Sequence, residues 1–130
     1  MRIHVTSLFV DDQEKARRFY TEVLGFRVRH DVPLGRHRWL TLVSPEDPEG
    51  PELLLEPADH PAVGPYRAAL RADGIPAHSF QVADLDAEWR RLTARGVPFT
   101  VEPTDAGTVR MAVFDDGCGN LIQLVEMKDG

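Results

Sequence analysis

The stretch VTSLFVDDQEKARRFYTEVLG, residues 5–25, returns as AHSFQVADLDAEWRRLTARG, residues 77–96. Both run in one order: apolar strand, acidic helix start, amphipathic helix, closing glycine. Val10 therefore matches Val82, Asp12 matches Asp84 and Gly25 matches Gly96, with one residue of slippage inside the helix. A repeat of this kind governs the fold before any local preference does, because each copy is one supersecondary unit that leaves a hydrophobic face uncovered on its own. Two half-domains are implied.

Outward from the first copy, residues 3–10 are mostly apolar and rich in β-branched types, and Asp11-Asp12 supplies an N-cap, so a strand stops where a helix begins. Ala16, Phe19, Tyr20, Val23 and Leu24 recur at helical spacing, and Gly25 suits the left-handed position that closes a helix. Strands are expected at 27–32, 38–43 and 52–56, separated by Pro33-Leu34-Gly35 and by the Pro-, Gly- and Asp-containing residues 44–51. The second copy repeats the plan with a strand at 78–82, a helix at 85–95 and strands at 99–102, 109–114 and 121–126. DDGCGN, residues 115–120, reads as a hairpin turn. Between the copies lies a linker with a short helix expected at 66–72. The fold class is α+β: two tandem βαβββ units, residues 1–57 and 77–130, joined by residues 58–76 into one structural domain. Their curved mixed sheets are expected to form a cleft or partial barrel with the helices on the outer faces.

With 130 residues, 42% of them hydrophobic, the chain can build a core without staples. Its single cysteine, Cys118, excludes an intrachain disulfide. Cys118 is expected at an exposed turn with no basic neighbour to activate it, which argues against a nucleophile. RIHVTSLFVDD is too short and polar for a secretory signal, and no apolar run approaches the roughly 18 to 20 residues of a membrane span. A cytoplasmic protein is expected. The formal charge of −6, with arginines spread among acids, offers no track for a phosphate backbone, so nucleic acid and membrane are not expected partners.

FYTEVLGF at the end of the first helix and DDGCGNLIQL near the end of the chain, within repeated βαβββ units, resemble the vicinal oxygen chelate superfamily. That superfamily includes glyoxalase I, bleomycin-resistance proteins and extradiol dioxygenases. The resemblance covers nearly the whole chain and implies a fold more strongly than a function. Metal-dependent members place ligands on the first and last strands of each unit. The resemblance puts those positions here at Val5, Glu56, Ala77 and Gln123. Two cannot ligate and one is a neutral amide, so no metal and no cofactor are expected. His4 and His78 each lie one residue from such a position, and alternation turns each imidazole toward the helix.

The same alternation assigns the cleft wall. Val5, Ser7 and Phe9 share a face, as do Ala77, Ser79 and Gln81. Trp39, Thr41 and Val43 line the cleft, Leu54 joins Glu56, and Leu121 and Val125 join Gln123. On VRMAVFDD, Val109, Met111 and Val113 read as core, which turns Arg110, Ala112 and Phe114 to the cleft. The expected ligand-binding set is Ser7, Phe9, Trp39, Thr41, Glu56, Ser79, Gln81, Arg110 and Gln123, a mostly apolar wall with a few hydrogen-bonding groups that suits a small organic ligand. Trp39 and Phe9 read more readily as plain core than as a stacking platform, and Arg110 reads equally as a surface partner of Glu126 or another acid. Glu56 is the candidate catalytic residue, since a carboxyl desolvated in an apolar cleft can work as acid or base; its alternative is pairing with an arginine. Two functions follow: a metal-free binding protein of the glyoxalase/bleomycin-resistance type, or a lyase, isomerase or dioxygenase-like enzyme on that scaffold. The superfamily resemblance and the open sheet edges imply a homodimer.

Overall fold

The computed structural model describes residues 1–129, which fall into two compact units, residues 1–64 and 65–129. In the first unit, β1 (Val5–Val10) leads into α1 (Gln13–Arg18), whose N-cap Asp12 accepts a hydrogen bond from the Lys15 amide at 3.0 Å. The helix then widens into a five-residue π-turn, Phe19–Val23. The first copy is one residue longer between its capping aspartate and its closing glycine than the second. A π-turn takes up one residue without displacing the turns around it. Tyr20 stays fully buried as a result.

β2 (Arg27–Leu34), β3 (His37–Val43) and β4 (Glu52–Pro57) complete a sheet of order β1-β4-β3-β2, with β1 parallel to β4 and the other pairs antiparallel. β2 runs past the expected stop at Pro33, which pairs with Arg38. It can do so because β2 is an edge strand, where the missing amide hydrogen interrupts no second ladder. A register shift between Val28 and His30 then brings His30 opposite Thr41. Leu8, Val10, Leu40, Leu42, Leu53 and Leu55 are buried and alternate onto the face that α1 covers with Ala16 and Tyr20. Gln13 stitches the layers, donating to the carbonyls of Arg38 at 2.7 Å and Leu55 at 2.8 Å.

The second unit repeats this with β5 (His78–Gln81), α3 (Leu85–Ala94), β6 (Phe99–Asp105), β7 (Val109–Asp115) and β8 (Leu121–Met127), in the order β5-β8-β7-β6. Asp84 caps α3 as Asp12 caps α1, accepting from the Ala87 amide at 3.0 Å. Edge strand β6, like β2, passes through a proline, Pro103, with register shifts. The linker helix α2 (Val63–Ala72) begins before its expected start at Tyr66.

β7 presents the faces opposite to those expected. Val109, Met111 and Val113 pair with Met127, Val125 and Gln123 and face away from α3, whereas Ala112 and Phe114 pair with Leu124 and Ile122 and are fully buried on the α3 side. Both faces of this strand are apolar, so composition could not choose between them; the register with β8 does. Arg110 goes with Ala112 and Phe114. It pairs with Asp86 of α3 at 2.9 and 3.2 Å and approaches Glu126 to 4.0 Å, so it is not on the predicted face.

The β7–β8 turn is also more enclosed than expected. Asp116 accepts from the amides of Cys118 (2.7 Å) and Asn120 (3.0 Å) and from the Asn120 side chain (3.1 Å). From α2, Arg67 donates to the Cys118 carbonyl and Arg71 pairs with Asp115. Cys118 is fully buried under this cover rather than exposed.

Candidate functional site

Each sheet has one face covered by its helix and one turned away from it, and the hydrogen-bonding residues without a structural duty in the core lie on the helix-distal faces. In the first unit the ladder register places Val5, Ser7 and Phe9 beside Glu52, Leu54 and Glu56, with Thr41 opposite Leu54 and Trp39 opposite Val32. The face is graded. Thr41, Val43, Glu52 and Leu54 are buried, Phe9 and Glu56 are half-buried, and Ser7, Val32 and Trp39 (39% exposed) reach the surface. The sequence reading named Ser7, Phe9, Trp39, Thr41 and Glu56, and the register brings those five together.

It did not name Glu52. Thr41 Oγ1 donates to Glu52 Oε1 at 2.6 Å, His30 Nε2 lies 3.7 Å from the same oxygen, and His4 Nδ1 lies 4.0 Å from Oε2. The signal was present in ELLLEP, residues 52–57. Once Leu54 and Glu56 share a face, Glu52 must share it too. His4 precedes β1, and its side chain is exposed at the mouth of this face instead of packing on the helix. In the second unit His78 does lie on the α3 side, opposite Ile122 and stacked on Phe80.

The helix-distal face of the second unit holds Ser79 and Gln81 on β5, Gln123 and Val125 on β8, and Met111 and Val113 on β7. Ser79 Oγ donates to Gln123 Oε1 at 2.8 Å, which leaves the amide NH2 of Gln123 pointing its hydrogens elsewhere. Shifted acids lie mainly with structural ion pairs on the helix side. Hydrogen bonds from Arg17 and then Arg38 hold Glu14 down at about 2, Arg38 lowers Asp31, and Arg110 lowers Asp86.

Register also corrects the ligand correspondence drawn from the resemblance. Ser7 and Ser79 are equivalent in the repeat; Ser7 pairs with Leu54 and Ser79 with Gln123. The counterpart of Gln123 is therefore Leu54, and Glu56 stands one pleat further along, opposite Phe9. Val5, Leu54, Ala77 and Gln123 supply one neutral amide between them, which does not fit a divalent metal needing three or four N, O or S donors. Among the described residues no group of three His, Cys, Asp or Glu side chains is placed to hold an ion. Among those residues, too, no helix is long and apolar enough to cross a membrane.

Comparison with known proteins agrees with this architecture. The chain is 56% identical over 126 residues to the uncharacterized protein YurT of Bacillus subtilis (strain 168), covering 97% of this chain and 99% of that one. Among solved structures, UcmS2 matches with a TM-score of 0.81 at 33% identity, covering 96% of this chain and 97% of UcmS2. TnmS3, an antibiotic binding protein from Streptomyces sp. CB03234, matches with a TM-score of 0.79 at 29% identity, covering 98% and 97%. The family profile "Glyoxalase/Bleomycin resistance protein/Dioxygenase superfamily" matches residues 2–124. On the paired βαβββ units and this match, the chain belongs to the glyoxalase/bleomycin resistance protein/dioxygenase superfamily.

Proposed function

We propose that this protein binds a small organic molecule on the helix-distal faces of its sheets, and does so without a metal. The observation that carries the reading is the composition of those faces: aromatic and aliphatic area from Phe9, Trp39, Met111 and Val125 interrupted by a few polar groups, Ser7, Glu56, Ser79, Gln81 and Gln123. Such a mixture orients an organic ligand, with rings supplying contact area and amides supplying direction. The likeness to TnmS3, an antibiotic binding protein, supports the same class of ligand. Glu56 enters as an orienting carboxylate. The exposed edge strands β2 and β6 support a homodimer as part of the proposal, and a solution mass equal to the 14.6 kDa chain would exclude it.

The test is a panel of polycyclic aromatic compounds followed through Trp39 fluorescence in a Trp89→Phe background. A ligand of micromolar affinity should appear, weakened about tenfold by Trp39→Ala, in keeping with the loss of a central contact. A panel that leaves Trp39 unquenched, or an affinity untouched by that change, would overturn the proposal. Elemental analysis of protein produced with Zn, Ni, Mn and Fe present should find no stoichiometric metal. About one ion per chain, lost in His4→Ala or His78→Ala, would refute the metal-free part.

A further inference from the structure

We propose that Glu52 is the anchor for a basic nitrogen, a protonated amine or amidine, on the ligand taken by the first unit; the inference rests on the ligand-binding reading above. Two buried carboxylates frame the argument. Asp116 is used up by its turn, accepting from two backbone amides and one side-chain amide. Glu52, with its side chain only 10% exposed, accepts a single hydrogen bond among the described residues, from Thr41. A carboxylate offers about four acceptor sites, and a buried one needs donors or a counter-charge. Among the described residues no lysine or arginine nitrogen lies within 4.0 Å of it.

The two imidazoles do not fill that need. At 3.7 Å (His30 Nε2 to Oε1) and 4.0 Å (His4 Nδ1 to Oε2) both stand beyond hydrogen-bond distance, one on each carboxylate oxygen. They leave gaps of the kind an interposed donor closes, and their exposed side chains, 49% and 81%, are free to turn aside. His4 in turn borders a cavity of about 670 Å³ lined also by Arg2, Ile3, Glu49, Gly50 and Pro51, a volume within the range of small-molecule sites. The aromatic and aliphatic field beside Glu52, from Leu54 to Trp39, receives the apolar body of such a ligand. Glu56 on the same face adds negative charge and disfavours an anion. Because each histidine addresses a different oxygen, the cluster does not converge on one point as metal ligands would, and an organic cation with several N–H donors fits it better.

The experiment uses three probes with one ring system, 1-naphthylmethylamine, 1-naphthylmethanol and 1-naphthoate, titrated calorimetrically into the full chain at pH 7.5. The amine should bind at least tenfold more tightly than the alcohol, and the acid most weakly. Glu52→Gln keeps an acceptor for Thr41 and should abolish the amine-over-alcohol preference while leaving the alcohol unchanged; Glu56→Gln should retain most of it. If Glu52→Gln does not fold, as read by circular dichroism, Glu52→Asp is judged on the same ratio. Equal binding of amine and alcohol by the wild type, or a preference lost with Glu56→Gln and kept with Glu52→Gln, overturns the anchor and leaves the general binding proposal standing. Failure of all three probes to bind overturns both. Zn2+ that binds stoichiometrically, displaces the amine and is lost in His4→Ala and His30→Ala would replace the organic cation with a metal and refute the inference.

Discussion

The two units share a topology, a capping aspartate and a closing glycine, yet at three equivalent positions of their helix-distal faces polarity is exchanged. Where the first unit has Thr41, Leu54 and Glu52, the second has Val113, Gln123 and Leu121. The first thus buries a polar pair, Thr41 with Glu52, whereas the second exposes one, Ser79 with Gln123. The buried strand residues of the two α-sides show no such exchange: Leu8, Leu40, Leu42 and Leu55 in the first unit and Ala112, Phe114, Ile122 and Leu124 in the second are all apolar. The scaffold is specified by what lies between helix and sheet, and the opposite face is where the copies have been free to diverge. The turns diverge as well. Residues 44–51 fold on themselves through Ser44 and Asp47, while the β7–β8 turn is held by Arg67 and Arg71 from α2.

The largest effect is expected from giving the first unit the apolar pair of the second. Thr41→Val alone strips a buried carboxylate of its donor and should cost about 2 to 3 kcal/mol in urea unfolding. Thr41→Val combined with Glu52→Leu should come out neutral or stabilising, since replacing both partners removes the unsatisfied charge. A double variant as unstable as the single one would show that the fold itself requires the polar pair. Next in size, Gly119→Ala places a Cβ against the Arg67 guanidinium at a φ of +99°, with an expected cost of about 1 to 3 kcal/mol. Gly50→Ala, which meets only the Asp47 side chain and has no positive φ, should cost less; the reverse order would break the contrast between the turns.

A smaller effect belongs to the helix-side ion pairs. Glu14 titrates at about 2 instead of 4.5, so its contribution is complete above pH 4.5 and is lost only as pH falls toward 2. Proton-resolved titration should show its midpoint rising in Arg17→Ala and, by less, in Arg38→Ala, because Arg17 is the stronger cause. Loss of the stability contribution should then shift toward pH 4.5. The smallest change is Arg110→Ala, which removes partly exposed pairs with Asp86 and Glu126 and should leave both the urea midpoint and the ligand affinity nearly unaltered. A tenfold drop in affinity would return Arg110 to the binding face.

Much of the architecture was legible because the repeat carried it: matching caps at Asp12 and Asp84 and matching glycines at 25 and 96 leave little choice of topology. Alternation also read β1, β3, β5 and β8 with the faces the ladders show. It failed on β7, where V-M-V and A-F are equally apolar, and only pairing with β8 decides. It stopped short at Glu52 because the last-strand correspondence was set at Glu56, two residues off the register. The edge strands outran their prolines for want of a second neighbour.

Local chemistry in the chain, caps, glycines, periodicity and their repetition, was enough to determine two βαβββ units, since those signals act within a few residues of one another. Which face of β7 is core, that the one extra residue becomes a π-turn around Tyr20, and that Thr41 and Glu52 meet inside the first sheet were decided only by tertiary structure. Each depends on strand register, a property of pairs of distant segments that no single segment contains.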